Sequence, residues 1–134
     1  MRIDRTQRVT IVVATLVVVA IACYAGVLDG THGKVKMTPD KATATRGEKG
    51  FDDTLSLVDG KFSSAFFRSK GFRSAPYNGE KEQNEAEFEV EQTSATNGLV
   101  NWLGEIRGKR LLGRLTWKKA DGTSLSYDFD GKTD

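Results

Sequence analysis

Residues 104–117, GEIRGKRLLGRLTW, carry the spacing in this chain that comes nearest to a phosphate-binding loop. Such a loop needs Gly-x-x-x-x-Gly-Lys and then Ser or Thr, between a strand and a helix, so that backbone amides and the lysine surround the phosphates. Here Gly104 and Gly108 are one residue too close together, and Arg110 stands where the hydroxyl is required. An alternating strand pattern follows instead of a helix. The stretch therefore predicts a two-residue hairpin turn at Gly108-Lys109 rather than a nucleotide site.

Other catalytic and metal-binding patterns are incomplete as well. The only cysteine, Cys23, and the only histidine, His32, precede residue 51, so the region after it lacks the Cys or His of a nucleophile–base pair. Alternate glutamates occupy one predicted strand: Glu85, Glu87, Glu89 and Glu91. They are typical of a solvated face rather than of two catalytic carboxylates. Residues 128–134, DFDGKTD, resemble only part of a calcium loop. We predict no catalytic residue, metal or cofactor.

The charge balance predicts no general attraction to nucleic acid. The chain has 20 Lys and Arg, 18 Asp and Glu, and a formal net charge of +2. Basic residues nevertheless cluster around the last two predicted turns, among them Arg107, Lys109 and Arg114. They are typical of solvated turns that pair with the glutamates, or of a contact with lipid head groups or an acidic partner.

The N-terminal residues have the pattern of a membrane segment. A basic stretch, 1–8, precedes the charge-free residues 9–28, which as a helix would be about 30 Å long and match the hydrocarbon core of a bilayer. Three interpretations stay open: an uncleaved signal-anchor that spans the membrane, a cleaved signal peptide, or a lipoprotein signal with lipid on Cys23. All three leave the arginines in the cytoplasm and export the rest, in a bacterium from the inner membrane into the periplasm.

The remaining chain divides into a predicted flexible tether, 29–50, and an exported β-domain, 51–134. The tether is rich in Gly, Thr, Lys and Asp and lacks helical or strand periodicity. From residue 51 onward the apolar residues alternate with polar ones. Six strands are predicted, at about 52–58, 61–68, 86–92, 98–106, 110–118 and 123–130. Residues 69–84 are predicted to be a long loop with room for a short strand near 75–77.

The predicted turns set a register in which one face of the last three strands is apolar. With a turn at 108–109, Trp102 lies opposite Leu115 and Gly104 opposite Gly113; a three-residue turn at 120–122 brings Tyr127 opposite Leu115. The predicted core or apolar pocket consists of Phe88, Trp102, Trp117, Tyr127 and Phe129. The expected fold is mainly β: an antiparallel meander that closes into a small barrel or forms a strongly curved sheet.

Three leucines are predicted to point away from that core. The candidate partner surface consists of Leu99, Leu103 and Leu112 with Arg114 beside them. Adjacent outward leucines are typical of a contact surface. The alternative is that the tether or the 69–84 loop covers them.

The runs WLGEIRG, LLGRLTW and, after an Asp-Gly turn, YDFDG resemble small exported lipocalin-like β-barrel proteins of bacteria over residues of about 51–134. The resemblance implies a binding or accessory role and carries over no catalytic residue. Lipocalins have eight strands, so six predicted strands argue against a ligand-enclosing cavity. We expect a non-catalytic accessory subunit anchored in the lipid bilayer and docked on a larger integral-membrane complex. The alternative is a binder of a small apolar ligand.

Overall fold

The computed structural model describes residues 26–134, which form a closed barrel of eight antiparallel strands. The strands are β1 (Thr31–Pro39), β2 (Phe51–Val58), β3 (Lys61–Ser64), β4 (Ala75–Glu82), β5 (Glu85–Ser94), β6 (Gly98–Arg107), β7 (Arg110–Lys118) and β8 (Ser124–Thr133). Each strand pairs with the next in sequence, and β8 closes the barrel by pairing with β1. Two short helices are α1 (Lys41–Thr45) and α2 (Ala65–Arg68). The mainly β, antiparallel prediction is confirmed.

The prediction of six strands is wrong, because two further strands lie in segments predicted to be irregular. Strand β1 and helix α1 occupy most of residues 29–50, so these residues belong to the barrel rather than to a flexible tether. Strand β4 begins where the sequence allows a short strand, near 75–77, but it continues to Glu82 within the predicted 69–84 loop. In both segments the alternation of apolar and polar residues is weak. Strand β1 buries only Val35 and Met37 among large apolar residues, and β4 buries Ala75, Tyr77 and Gly79. Pairing makes these segments strands: β1 pairs with the distant β8, and β4 forms a hairpin with β5 across residues 83–84.

The predicted strand 61–68 also ends early, at Ser64. The Ser64 hydroxyl accepts a hydrogen bond from the Phe67 N–H at 3.1 Å and so caps the first turn of α2. A serine at this position competes with continued strand geometry because its side chain satisfies a free helical amide. The chain therefore turns inward at the end of the barrel instead of continuing along the wall.

The predicted register of β6, β7 and β8 is confirmed: Trp102 lies opposite Leu115, Gly104 opposite Gly113, and Leu115 opposite Tyr127. Gly108 has φ 63°, as the first central residue of a type II′ turn requires. The paired glycines admit aromatic rings. A Cβ on Gly104 would lie 2.1 Å from Cζ of Phe88, and one on Gly113 would lie 2.7 Å from Cζ of Phe129.

The two ends of the barrel are closed differently. At the helix end lie α1, α2 and the loops 69–74, 95–97 and 119–123. At the turn end lie the tight turns 59–60, 83–84 and 108–109 together with residues 26–30, the mouth segment.

The mouth segment is held by side-chain contacts to β4 and to the 59–60 turn. Leu28 is 4% exposed in the core, and its N–H donates to the Tyr77 hydroxyl at 2.8 Å. That hydroxyl donates to Asp29 at 2.8 Å, and the Asp29 carboxylate also accepts from the Gly60 N–H at 2.9 Å. Residues 26–28, which the sequence places at the end of the predicted 9–28 anchor, are therefore part of the barrel cap.

The rest of that predicted anchor, including Cys23, lies outside the described residues. Within 26–134, none of the helices has the length and apolar content needed to cross a membrane.

Candidate binding surfaces on the barrel

The five residues of the predicted core or pocket all point into the barrel. Phe88, Trp102, Trp117, Tyr127 and Phe129 are buried together in one cluster. Residues from outside the long strands pack among them. The ring centroid of Phe67, on α2, lies 5.6 Å from that of Trp102 and 5.1 Å from that of Trp117. Four clefts on the surface of the described residues are lined by other side chains. The aromatic face thus works as packed core.

The contribution of α2 and the following loop was missed in the sequence. Phe67 and Phe72 are buried in the barrel and their rings stack edge to face, with centroids 5.5 Å apart. The sequence predicts a strand at Phe67 and a long loop at Phe72. The available signal was the clustered apolar pair Phe66-Phe67, which breaks the alternation expected of a half-buried strand.

The polar groups of the two tryptophans are satisfied inside the barrel. The Trp102 indole N–H donates to Oε1 of Gln92 at 2.8 Å, and Nε2 of Gln92 donates to the Arg73 carbonyl oxygen at 2.8 Å. The Trp117 indole N–H donates to the Asn97 carbonyl oxygen at 2.8 Å. These indoles have their partners within the fold and need none from a ligand.

Asp53 is the one buried carboxylate of the described core. It accepts hydrogen bonds from the Ser64 hydroxyl and from the Phe66 N–H, the latter at 2.9 Å. Burial raises the pKa of Asp53 above its usual value, although these hydrogen bonds act in the opposite direction. Its position at the start of α2 gives it a structural role, because it fixes the turn that carries Phe67 into the core.

The candidate partner surface lies on the outer wall of β6 and β7. Leu103 is 58% exposed, whereas Leu99 and Leu112 are half-buried. In register, Leu103 lies between Glu89 on β5 and Arg114 on β7. Neither residues 29–50 nor residues 69–84 cover Leu103. Arg114 forms ion pairs with Asp128 at 3.1 Å and Asp40 at 3.8 Å, so it is held beside the leucines.

An acidic cleft of about 120 Å³ lies on the outer wall of β4, β5 and β6. Glu80, Glu87 and Glu105 lie side by side in register there, and Glu105 pairs with Arg107 at 2.9 Å. Burial, followed by the charge of Glu82, raises the pKa of Glu80. Within residues 26–134 no three acidic, His or Cys side chains are arranged to hold a metal ion. Glu80 is not among the residues that the sequence singles out, because the sequence predicts a loop where β4 lies.

A row of cations crosses four neighbouring strands near the turn end. Arg107 lies opposite Arg110, Arg110 opposite Lys132, and Lys132 opposite Lys34. All four are exposed, and Lys109 lies on the turn between the arginines. Arg110 pairs with Asp130 at 2.7 Å. The sequence located the cations of the 108–109 turn but not Lys34 and Lys132, which come from distant segments.

Fold and surfaces together define a small antiparallel barrel of eight strands with a side-chain-filled interior and a charged outer wall. This architecture is compatible with a lipocalin-like barrel. Comparison with protein-family models, with curated proteins and with solved structures finds no match to this chain.

Proposed function

We propose that this chain is a non-catalytic, membrane-anchored accessory protein whose barrel docks on a larger integral-membrane complex. The observation that supports the proposal most is Leu103, a large apolar side chain that is 58% exposed on the outer wall. Leu112 lies diagonally across from it, within reach of a long side chain. The charged neighbours Glu89 and Arg114 flank it on both sides. An apolar centre with a polar rim is typical of a protein–protein interface.

The packed interior supports a surface role over an enclosed one. Small-ligand sites bury most of the ligand in a cavity of at least a few hundred Å³. Here the corresponding space is filled by Phe62, Phe67, Phe72 and Trp102, all of which are buried. A partner would therefore bind the wall of the barrel.

The proposed location follows from residues 9–25, which carry no charge and follow a basic stretch. We assign them to a single membrane crossing with a cytoplasmic N-terminus. The barrel then lies on the exported face, which is the periplasm if the source is a bacterium with two membranes.

The test is affinity purification of the tagged full chain from its native membranes in mild detergent, comparing wild type with Leu103→Asp. Val58→Asp is the matched control, because Val58 is 50% exposed on β2, on the opposite side of the barrel. We expect the same membrane proteins to co-purify with wild type and Val58→Asp and to be lost with Leu103→Asp. A lone monomer in wild type, or full retention of partners by Leu103→Asp, would refute the docking surface.

The second candidate is a lipocalin-like protein that is anchored through lipid on Cys23 and binds a small apolar ligand. The eight strands of the barrel favour this function, and the filled interior of the barrel opposes it. Trp102 and Trp117 make a direct test possible, because both indoles lie in the barrel core. We expect their fluorescence to stay unchanged across lipids and pigments, and a saturable change would support the ligand binder. The intact mass of the membrane-extracted chain separately reports on Cys23.

A further inference from the structure

The row of cations Arg107, Arg110, Lys132 and Lys34 is an unusual arrangement for a free surface. Like charges directly opposite each other on neighbouring strands repel and destabilise the sheet. Four adjacent positions span about 14 Å at a strand spacing of ~4.8 Å. Glu105 and Asp130 neutralise the arginines in part. Among residues 26–134, the structure gives no ion pair to Lys34, Lys109 or Lys132.

The row lies at the same end of the barrel as the mouth segment. Arg107 and Arg110 flank the 108–109 turn. Lys132 lies close to the last residue of β8, and Lys34 lies close to the first residue of β1. The mouth segment fixes Gly26 at this end through Leu28 and Asp29. If residues 9–25 cross the bilayer, no long tether separates the membrane surface from the barrel.

The charge at the turn end is uneven around the barrel. The four cations of the row occupy β6, β7, β8 and β1. At the same end, β3 and β4 carry one lysine each, Lys61 and Lys81, and Glu82 on β4 lies opposite Glu85 on β5. An anionic surface would attract the row of four cations more strongly than the mixed charges of β3, β4 and β5. The barrel would then be tilted, with the turn 108–109 nearest the membrane.

We propose that the turn end of the barrel lies on the membrane surface and that this cationic row binds the phosphate groups of anionic lipids. The inference rests on the membrane crossing of the proposed function, but it is independent of docking through Leu103. Lipid is favoured over an acidic protein because the fixed position of Gly26 brings these cations next to the headgroups. Basic residues near an anionic membrane each contribute roughly fivefold to the binding equilibrium.

The test measures the rate of lysine acetylation, residue by residue, by mass spectrometry on the full chain in lipid nanodiscs. Discs of phosphatidylcholine are compared with discs that also contain phosphatidylglycerol. We expect Lys34, Lys109 and Lys132 to react severalfold more slowly in the anionic discs, and this protection to be lost at high salt. Lys41, Lys49 and Lys118, exposed at the helix end, serve as internal controls and should react equally in both.

A pair of double variants tests whether the row acts as a unit. In Lys109→Gln/Lys132→Gln we expect the protection of Lys34 to fall severalfold, whereas Lys41→Gln/Lys118→Gln should leave it unchanged. Equal labelling in both kinds of disc, equal protection of the helix-end lysines, or indifference to the first double variant would overturn the proposal. A chain that does not enter the discs would overturn it as well and would also refute the anchor. A loss of partners in Leu103→Asp bears only on docking.

Discussion

The buried carboxylate of Asp53 shows how a single residue can fix the helix that covers one end of the barrel. It points inward from β2 and binds the first amides of α2, the helix that brings Phe67 into the core. A carboxylate is well suited to free helical N–H groups because it accepts several hydrogen bonds. The cost is partial loss of solvation, which raises the pKa of Asp53.

The raised pKa of Asp53 predicts a pH dependence of stability. Between the usual pKa of 3.8 and the raised value, the folded state binds more protons than the unfolded state. The contribution of this group to the free energy of unfolding is therefore greatest below the unfolded pKa and declines as pH rises through the folded pKa. We expect Asp53→Asn to lack this decline, so that wild type loses stability relative to the variant from acid toward neutral pH.

Urea unfolding, followed by tryptophan fluorescence across that pH range, measures the difference in the free energy of unfolding between wild type and Asp53→Asn. Subtracting the two curves removes the opposite effect of Asp40, Asp121 and Asp130, whose pKa values are lowered. Parallel curves for wild type and Asp53→Asn would contradict the prediction.

At the scale of elements, the hairpin of β6 and β7 depends on the close approach of glycine and aromatic ring. A methyl group at Gly104 would overlap the ring of Phe88, which is buried with its centroid 5.9 Å from that of Phe62. We expect Gly104→Ala to reduce the free energy of unfolding by about 1–3 kcal/mol, as overpacking does.

A double-mutant cycle separates this overlap from a backbone effect. In a Phe88→Leu background the ring is absent, so Gly104→Ala should cost markedly less there than in wild type. Denaturant unfolding of the four proteins gives the coupling. Equal costs in both backgrounds would show that the ring is not the reason for the glycine.

The burial of helix α2 leads to a second prediction about the stability of the barrel. Phe67 is fully buried against both tryptophans, whereas its neighbour Phe66 is only partly buried. We expect Phe67→Ala to cost about 3–5 kcal/mol and to leave a cavity in the barrel. Phe66→Ala, the matched control, should cost clearly less. Thermal unfolding and binding of a small apolar dye report on stability and cavity, and an equal effect of both variants would contradict this role of Phe67.

At the scale of the whole molecule, the mouth segment connects the barrel to the preceding chain. The Tyr77 hydroxyl joins Leu28 and Asp29 to β4. Burial, and then the hydrogen bond to Asp29, raise the pKa of Tyr77 from 10.0 to about 12, so the hydroxyl stays protonated and continues to donate in alkaline solution around pH 10. The position of the barrel relative to a membrane would depend on this link.

Tyr77→Phe tests the link, with Tyr127→Phe as control, because the Tyr127 hydroxyl makes only a long contact of 3.4 Å to Glu48. Loss of the hydroxyl leaves the buried Leu28 amide without its partner, which costs about 1–3 kcal/mol. We expect Tyr77→Phe to be cut faster by protease within residues 26–30 while the rest of the barrel stays resistant. Equal cleavage of the two variants would argue against it.

Much of the β6–β7–β8 wall could be predicted because its information is local. Gly108-Lys109 sets the turn, and strict alternation then leaves one register in which Trp102, Leu115 and Tyr127 share a face. The same logic placed Leu103 on the outside. Strand β4 and the helical turn of α2 carry weaker local signals. Tyr77 is the only large apolar side chain that β4 buries, and Ser64 is compatible with a strand as well as with a helix cap.

The sequence by itself determined a mainly antiparallel β fold, its central register, its aromatic core and the outward leucines, since alternation and turn chemistry act between near neighbours. Only the tertiary structure decided that β1 and β8 close the barrel, that Phe67 and Leu28 fill its interior, and that Lys34 and Lys132 continue the cations of the 108–109 turn. Each of these contacts joins segments distant in the chain. Their free energy comes from burial and pairing that form only when the barrel closes.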